Sequence, residues 1–219
     1  MRCHLKTQDN KAHSSIYSSL ILILLLFHFF SVLMAQLQSS SSSTSFSNRF
    51  NYDVFLSFRG SDTRFGFIGN LHKALSDVGI RTFIDDRELE KGENIKPSLF
   101  KNIQESRIAI PVFSINYASS SFCLDELVHI IHCFKETDRL IMPIFYGVDP
   151  SHIRYQTHSY GKELAKHEVR FQSNKEKYLE NMQRLQQWKR ALNQAASLSG
   201  YHFNLGYPTS SISFLYSHF

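Results

Sequence analysis

From residue 50 onward, short apolar runs alternate with stretches whose apolar residues recur every three or four positions. Such alternation predicts strands separated by helices. Tyr52-Asp53-Val54-Phe55-Leu56-Ser57-Phe58 predicts a first strand. Phe67, Leu71, Ala74, Leu75 and Val78 fall at helical spacing, and Gly79 ends that helix. Ile80 to Ile84 predicts a second strand closed by Asp85-Asp86, before a charged loop from Arg87 to Glu93 that contains Gly92. Ile95, Leu99 and Ile103 mark a second helix, with Pro97 tolerable in its first turn. Ile108 to Phe113 predicts a third strand, and Ser119 to Lys135 a third helix opened by serines. Leu140 to Tyr146 reads as a fourth strand, in which Pro143 argues against a central position. A long basic helix from about Lys175 to Ser199 leads to Tyr201-His202-Phe203, a candidate fifth strand. Near-continuous apolar strands joined by helices predict an α/β fold, a doubly wound parallel sheet covered on both faces.

The pattern upstream is different. From Ala12 to Asn48 there are 37 residues without Asp, Glu, Lys or Arg. Leu20 to Ala35 is apolar apart from His28 and Ser31, and as a helix would rise about 24 Å. Arg2, Lys6 and Lys11 precede it, the layout of a signal peptide or signal anchor. Residues 1–37 therefore read as a targeting or anchoring segment and a candidate membrane contact. Residues 38–49 read as a serine-rich linker, 50–204 as one folded domain and 205–219 as an unassigned tail.

Charge adds little. Lys and Arg number 24 against 19 Asp and Glu, a net +5. Nine basic residues and four Glu between Ser151 and Gln194 account for that excess, so it belongs to one solvated helical region and no nucleic-acid partner is expected. Of three cysteines, Cys123 and Cys133 fall ten residues apart on one predicted helix. That is about 15 Å of rise, too far for a disulfide. Reduced thiols suit a cytoplasmic location, whereas basic residues before the apolar run predict the opposite orientation for an anchored domain. The thiols weigh more here, so the domain is expected on the cytoplasmic face of a membrane.

In a doubly wound sheet, ligands bind beyond the carboxyl ends of the strands. Three loops meet that rule: Arg59-Gly60-Ser61-Asp62-Thr63-Arg64, Asp85 to Glu93, and Ser114 to Ser121 leading to Asp125 and Glu126. Guanidinium groups suit a diphosphate, and a carboxylate near a helix N-terminus tends to stay ionised. Arg59 and Arg64 could equally pair with Asp62 or Asp85. Neither GxGxxG nor GxxxxGK[ST] occurs. His129, His132 and Cys133 share a helix without a carboxylate partner, so no metal site is expected. Asp53, Asp85 and Asp86 resemble a phosphoacceptor pocket, but Ser114-Ile115-Asn116 stands where the acceptor would be.

The strings YDVFLSFRGSDTR, GIRTFIDDRELEKGENI, SINYASSSFCLDEL, PIFYGVDPSHIRYQ and LSGYHF together resemble the Toll/interleukin-1 receptor (TIR) domain of plant disease-resistance proteins. The resemblance covers about residues 50 to 204. It implies a flavodoxin-like sheet and NAD+ cleavage that depends on self-association. It implies Glu126 as the catalytic carboxylate, and Arg59, Gly60, Ser61, Asp62, Thr63, Arg64, Gly92 and Phe122 as substrate contacts. NAD+ is then the substrate, and no further cofactor is implied. A carboxylate of this kind stabilises the ribosyl cation formed as nicotinamide leaves. The alternative is a non-catalytic TIR interaction module that binds other TIR proteins. Three positions depart from the family pattern: Phe122 replaces a Trp, Gly69-Asn70 replaces a Ser-His pair on the first helix, and His158 replaces a Gly. The family receptors continue into nucleotide-binding and leucine-rich-repeat regions, whereas here NLGYPTSSISFLYSHF follows Phe203.

Overall fold

A computed structural model describes residues 35, 50–84, 97–173 and 175–203. The chain divides into two units between Arg49 and Phe50, and of the first only Ala35, which is helical, is described. The rest of the predicted anchor, the serine linker, the loop from Asp85 to Glu93 with Gly92, and the tail 205–219 lie outside the described residues.

In the second unit, β1 (Tyr52–Phe58), β2 (Thr82–Ile84), β3 (Ser106–Phe113), β4 (Ile144–Tyr146) and β5 (Tyr201–Phe203) form one parallel sheet. Its order is β2-β1-β3-β4-β5. The helices are α1 (Gly60–Thr63), α2 (Gly69–Asp77), α3 (Pro97–Gln104), α4 (Ser121–Glu136), α5 (Pro150–Arg154), α6 (His158–Gln172) and α7 (Tyr178–Ala195). This is the α/β arrangement that the hydrophobic pattern predicts. Strand order reverses between β1 and β3, so the crevice expected of a doubly wound sheet opens beyond Phe58 and Phe113.

The apolar strands are continuous because helices cover both faces. Val54, Phe55 and Leu56 are almost wholly buried, as are Ile110, Val112 and Phe113 of β3. On α7, Leu185, Trp188, Ala191, Leu192 and Ala195 are buried at helical spacing, while Arg184 and Lys189 are half-buried and Arg190 is exposed. No described helix is long and apolar enough to cross a membrane.

The pattern-based reading assigns no element to the stretch that holds α5 and α6, and two of the elements it does assign take another form. The first helix begins earlier, at Gly60, and passes through one π-helical turn (Arg64–Ile68) into α2. In that turn the Gly69 N–H reaches back to the Arg64 carbonyl, and a Cβ on Gly69 would stand 3.2 Å from the same oxygen. Gly69, without a Cβ, therefore suits the wider turn. Strand β4 is central, between β3 and β5, although Pro143 argued for an edge. Ala109 pairs first with Ile141, and the regular β3–β4 ladder starts only at Ile144. Pro143 still serves the sheet, since its carbonyl accepts from Tyr201 N at 2.9 Å. Gly200 permits that approach, because a Cβ there would lie 2.4 Å from the Pro143 oxygen.

Candidate functional site

The loop after β1 is tied to the loop after β3 across the reversal point. Asp62 accepts from Ser114 Oγ at 2.6 Å, from Asn116 N at 3.0 Å and from Asn116 Nδ2 at 3.1 Å. Ser61 adds a bond at 3.1 Å. Burial alone would raise the Asp62 carboxyl; the four donated hydrogen bonds outweigh it and hold it below its ordinary value. Asp62 is therefore occupied by the Ser114–Asn116 turn. Thr63 is buried and donates to the Arg59 carbonyl at 3.2 Å, closing the first turn of α1.

The two arginines flank this clamp. Arg64 folds back over Gly60, where an added Cβ would stand 3.1 Å from its Nε, and its guanidinium lies 5.2 Å from the Phe58 ring centre. Arg59 Nε is buried and has no hydrogen-bond partner among the described residues. A buried donor of this kind suits an anionic ligand at the mouth of the crevice.

Glu126 comes from α4, whose first turn is capped by Ser120 accepting from Cys123 N at 3.2 Å. Helical periodicity sets Cys123, Glu126, Leu127 and Ile130 on the buried face, and Glu126 is only 3% exposed. Its Oε2 accepts from Ser57 Oγ at 2.5 Å. Ser57 in turn lies 2.8 Å from the Tyr117 hydroxyl, which also reaches the Cys123 carbonyl at 3.1 Å. Burial, then the charges of Cys123 and Glu126, push the Tyr117 phenol well above its ordinary value. Burial, reinforced by Glu126, pushes the Cys123 thiol up to about 12, so it is no nucleophile. Phe122 packs partly buried against the core immediately before it.

Of the residues expected in the crevice, Arg59 to Arg64 and Glu126 gather at the carboxyl end of β1. Asp125 does not. One position earlier on the helix, it turns to α7 and accepts from Arg184 Nε at 2.8 Å and Trp188 Nε1 at 2.7 Å. It lines an open groove of about 810 Å³ between α4 and α7 with His129, His132 and Arg190. Asp53 sits at the opposite, amino end of the sheet, bound by Arg81 at 3.0 Å and facing Arg107 at 3.8 Å. That placement removes it from any pocket at the crevice. His129 meets Cys133 Sγ at 3.3 Å and stacks on Phe100, while His132 faces Glu136. Among the described residues no three His, Cys, Asp or Glu side chains converge as metal ligands do. His158 has a φ of 51°, a backbone state that glycine adopts with less strain, and its ring stacks on His152 at 3.7 Å.

Ser57 and Tyr117 are the members of the site that the pattern-based reading passes over. Ser57 had a visible signal, being a polar residue near the carboxyl end of an otherwise apolar strand. Tyr117 had none, because its partners lie 6 and 60 positions away.

The TIR domain family matches residues 51–212. TMV resistance protein N of Nicotiana glutinosa is 48% identical over 159 residues, covering 73% of this chain and 13% of that protein. Disease resistance protein RPV1 of Vitis rotundifolia is 49% identical over 164 residues, covering 75% and 11%. The chain thus spans little more than a tenth of these relatives. Among solved structures, the TIR domains of the activated Roq1 resistosome that recognises the effector XopQ superpose with a TM-score of 0.58 at 45% identity. That match covers 69% of this chain and 87% of the other.

Proposed function

The chain belongs to the TIR domain family, and from that premise we propose that it is an NAD+ glycohydrolase of plant immune signalling whose turnover depends on TIR self-association. One observation carries this reading: Glu126 stands beside the carboxyl end of β1, next to the arginine loop and the unpartnered Arg59 Nε. A diphosphate bridging Arg59 and Arg64 would present the nicotinamide ribose towards this carboxylate. As the ribose–nitrogen bond breaks, nicotinamide leaves with the electron pair and the ribosyl cation is stabilised by Glu126. Water adds to give ADP-ribose, or an internal hydroxyl adds to give a cyclic product. Phe122 offers a ring to stack on, without an indole donor.

Glu126 is only 3% exposed, so substrate entry has to uncover it. Association with a second TIR domain, homotypic or heterotypic, is the event that would do so, and the resistosome assembly of the similar Roq1 TIR domains supports it. The segment Leu20–Ala35 would gather such domains on the cytoplasmic face of a membrane. The same burial favours a second reading, a non-catalytic TIR interaction module. NAD+ consumption by the full chain, concentrated on a crowding surface, separates the two. Turnover lost in Glu126→Ala is the expected result; equal turnover by both proteins removes Glu126 from the mechanism, and none by either favours the interaction module.

A further inference from the structure

One oxygen of the Glu126 carboxyl joins a chain of oxygens: Cys123 carbonyl, Tyr117 hydroxyl, Ser57 hydroxyl, Glu126 Oε2. The three contacts measure 3.1, 2.8 and 2.5 Å. Ser57 and Tyr117 are fully buried and Glu126 is nearly so. Three contacts in this chain meet only two hydroxyl hydrogens. The Cys123 carbonyl accepts and never donates, so filling that contact uses the Tyr117 hydrogen. The Ser57 hydrogen then completes the contact to Tyr117, and the remaining contact is completed only by a proton on Glu126. With Glu126 ionised, both hydroxyls turn round: Ser57 donates to the carboxylate, Tyr117 donates to Ser57, and the Cys123 carbonyl gives up its donor.

We propose that Ser57 and Tyr117 form a two-state relay in which protonation of Glu126 is coupled to the direction of two buried hydroxyls. They are positioning residues for the acid and base forms of one carboxyl. The acid form has three hydrogen bonds along the chain. The base form has two, of which the one to the carboxylate is charge-assisted and stronger. Each form thus has a hydrogen-bond arrangement of its own, so the carboxyl can take and return a proton without moving a heavy atom of the chain. Its use in turnover rests on the reaction proposed above. There, as the ribose–nitrogen bond breaks, water oxygen bonds to the ribosyl carbon and its proton passes to Glu126, to be released to solvent afterwards. Among the described residues, the titratable groups acting on Tyr117 and Cys123 of this chain include Tyr160 from α6, Arg59 and Asp62 from the loop after β1, and Glu126 itself. Asp125 is turned away to Arg184.

The test reads Glu126 directly. The full chain, with glutamate carboxyls labelled with carbon-13, is titrated by NMR, the Glu126 signal being identified by its absence in Glu126→Gln. Tyr117→Phe deletes two bonds from the acid form and one from the base form, so Glu126 ionises at lower pH than in wild type. Ser57→Ala costs both forms bonds and cuts Glu126 off from Tyr117, so adding Tyr117→Phe to it should move the Glu126 titration no further. The downward shift from Tyr117→Phe alone is expected to be about half a pH unit or more, the scale of one net hydrogen bond. A downward shift that vanishes in the Ser57→Ala background supports the relay; no shift, an upward one, or one that persists without Ser57 overturns it. This readout is independent of turnover. The supporting pattern in a chain that cleaves no NAD+ would keep the relay and discard the proposed reaction. In a cleaving chain the pH profile of kcat moves down with Tyr117→Phe in the same way.

Discussion

Asp125 and Glu126 are adjacent acids on α4 and meet opposite fates. A rotation of about 100° per residue turns the first towards α7 and the second under the end of β1. Asp125 is saturated: a guanidinium and an indole N–H hold it, and Trp188 behind it is fully buried. Glu126 accepts from a serine hydroxyl, a partner that suits the protonated and ionised carboxyl alike. The guanidinium and the indole tie α4 to α7. The hydroxyl ties α4 to β1 and can turn round when the carboxyl gains a proton. The two acids thus differ in the chemistry of these partners as well as in burial.

The largest expected effect tests that division directly. Glu126→Gln, which retains shape, is expected to lower NAD+ cleavage by the full chain at least about 100-fold, with the thermal unfolding midpoint close to wild type. Asp125→Ala should do the reverse. Orphaning the buried Trp188 N–H is expected to cost about 1–3 kcal/mol in chemical denaturation, while turnover per folded molecule stays within about twofold. If Asp125→Ala abolished turnover in a folded protein, the contrast would collapse.

A smaller effect concerns the support beneath Tyr117. His167 of α6 lies 3.0 Å from the Ala118 carbonyl through Nε2 and 2.8 Å from Arg170 through Nδ1. A carbonyl only accepts and a guanidinium only donates, so the neutral imidazole fits and its proton sits on Nε2. Burial, with repulsion from Arg170 and Arg184, holds His167 below its ordinary value of 6.5, although the bond to Ala118 opposes the shift. His129 is lowered too, again mainly by burial. The unfolded chain then takes up more protons than the folded one as pH drops through 6.5. Stability should be flat above that pH and decline below it towards the folded-state midpoints. His167→Gln, measured by denaturation at pH 7.5 and 5.5, is expected to shed part of the decline. An unchanged slope would remove His167 from the account. Smallest is His158→Gly, on neither side of the comparison. Relief of its left-handed backbone is expected to raise stability by a few tenths to about 1 kcal/mol, offset by the lost contact with His152.

Much of the fold was legible along the chain, because a strand or helix declares itself within a few residues through periods of 2 and 3.6. The alternation from Tyr52 to Phe203 predicts the parallel sheet, and the loop from Arg59 to Arg64 predicts one wall of the crevice. Pro143 shows the limit: its missing N–H was visible, but not that its carbonyl would bind Tyr201 and keep the strand central. Glu126 was singled out by resemblance to a motif, whereas spacing alone could not rank it above Asp125.

What the sequence determined by itself was therefore local: most of the elements and their order, though not α5 and α6, the uncharged leader and the residue types offered at the carboxyl ends of the strands. Only the tertiary structure decided which offers were taken up. Asp62 went to Ser114 and Asn116, Asp53 to Arg81, Asp125 to Arg184 and Trp188, and Glu126 to Ser57. The physical reason is range. These pairings span 28 to 69 positions and exist only once strand order places β1 beside β3 and packs α7 against α4. Short-range periodicity carries no information about that choice.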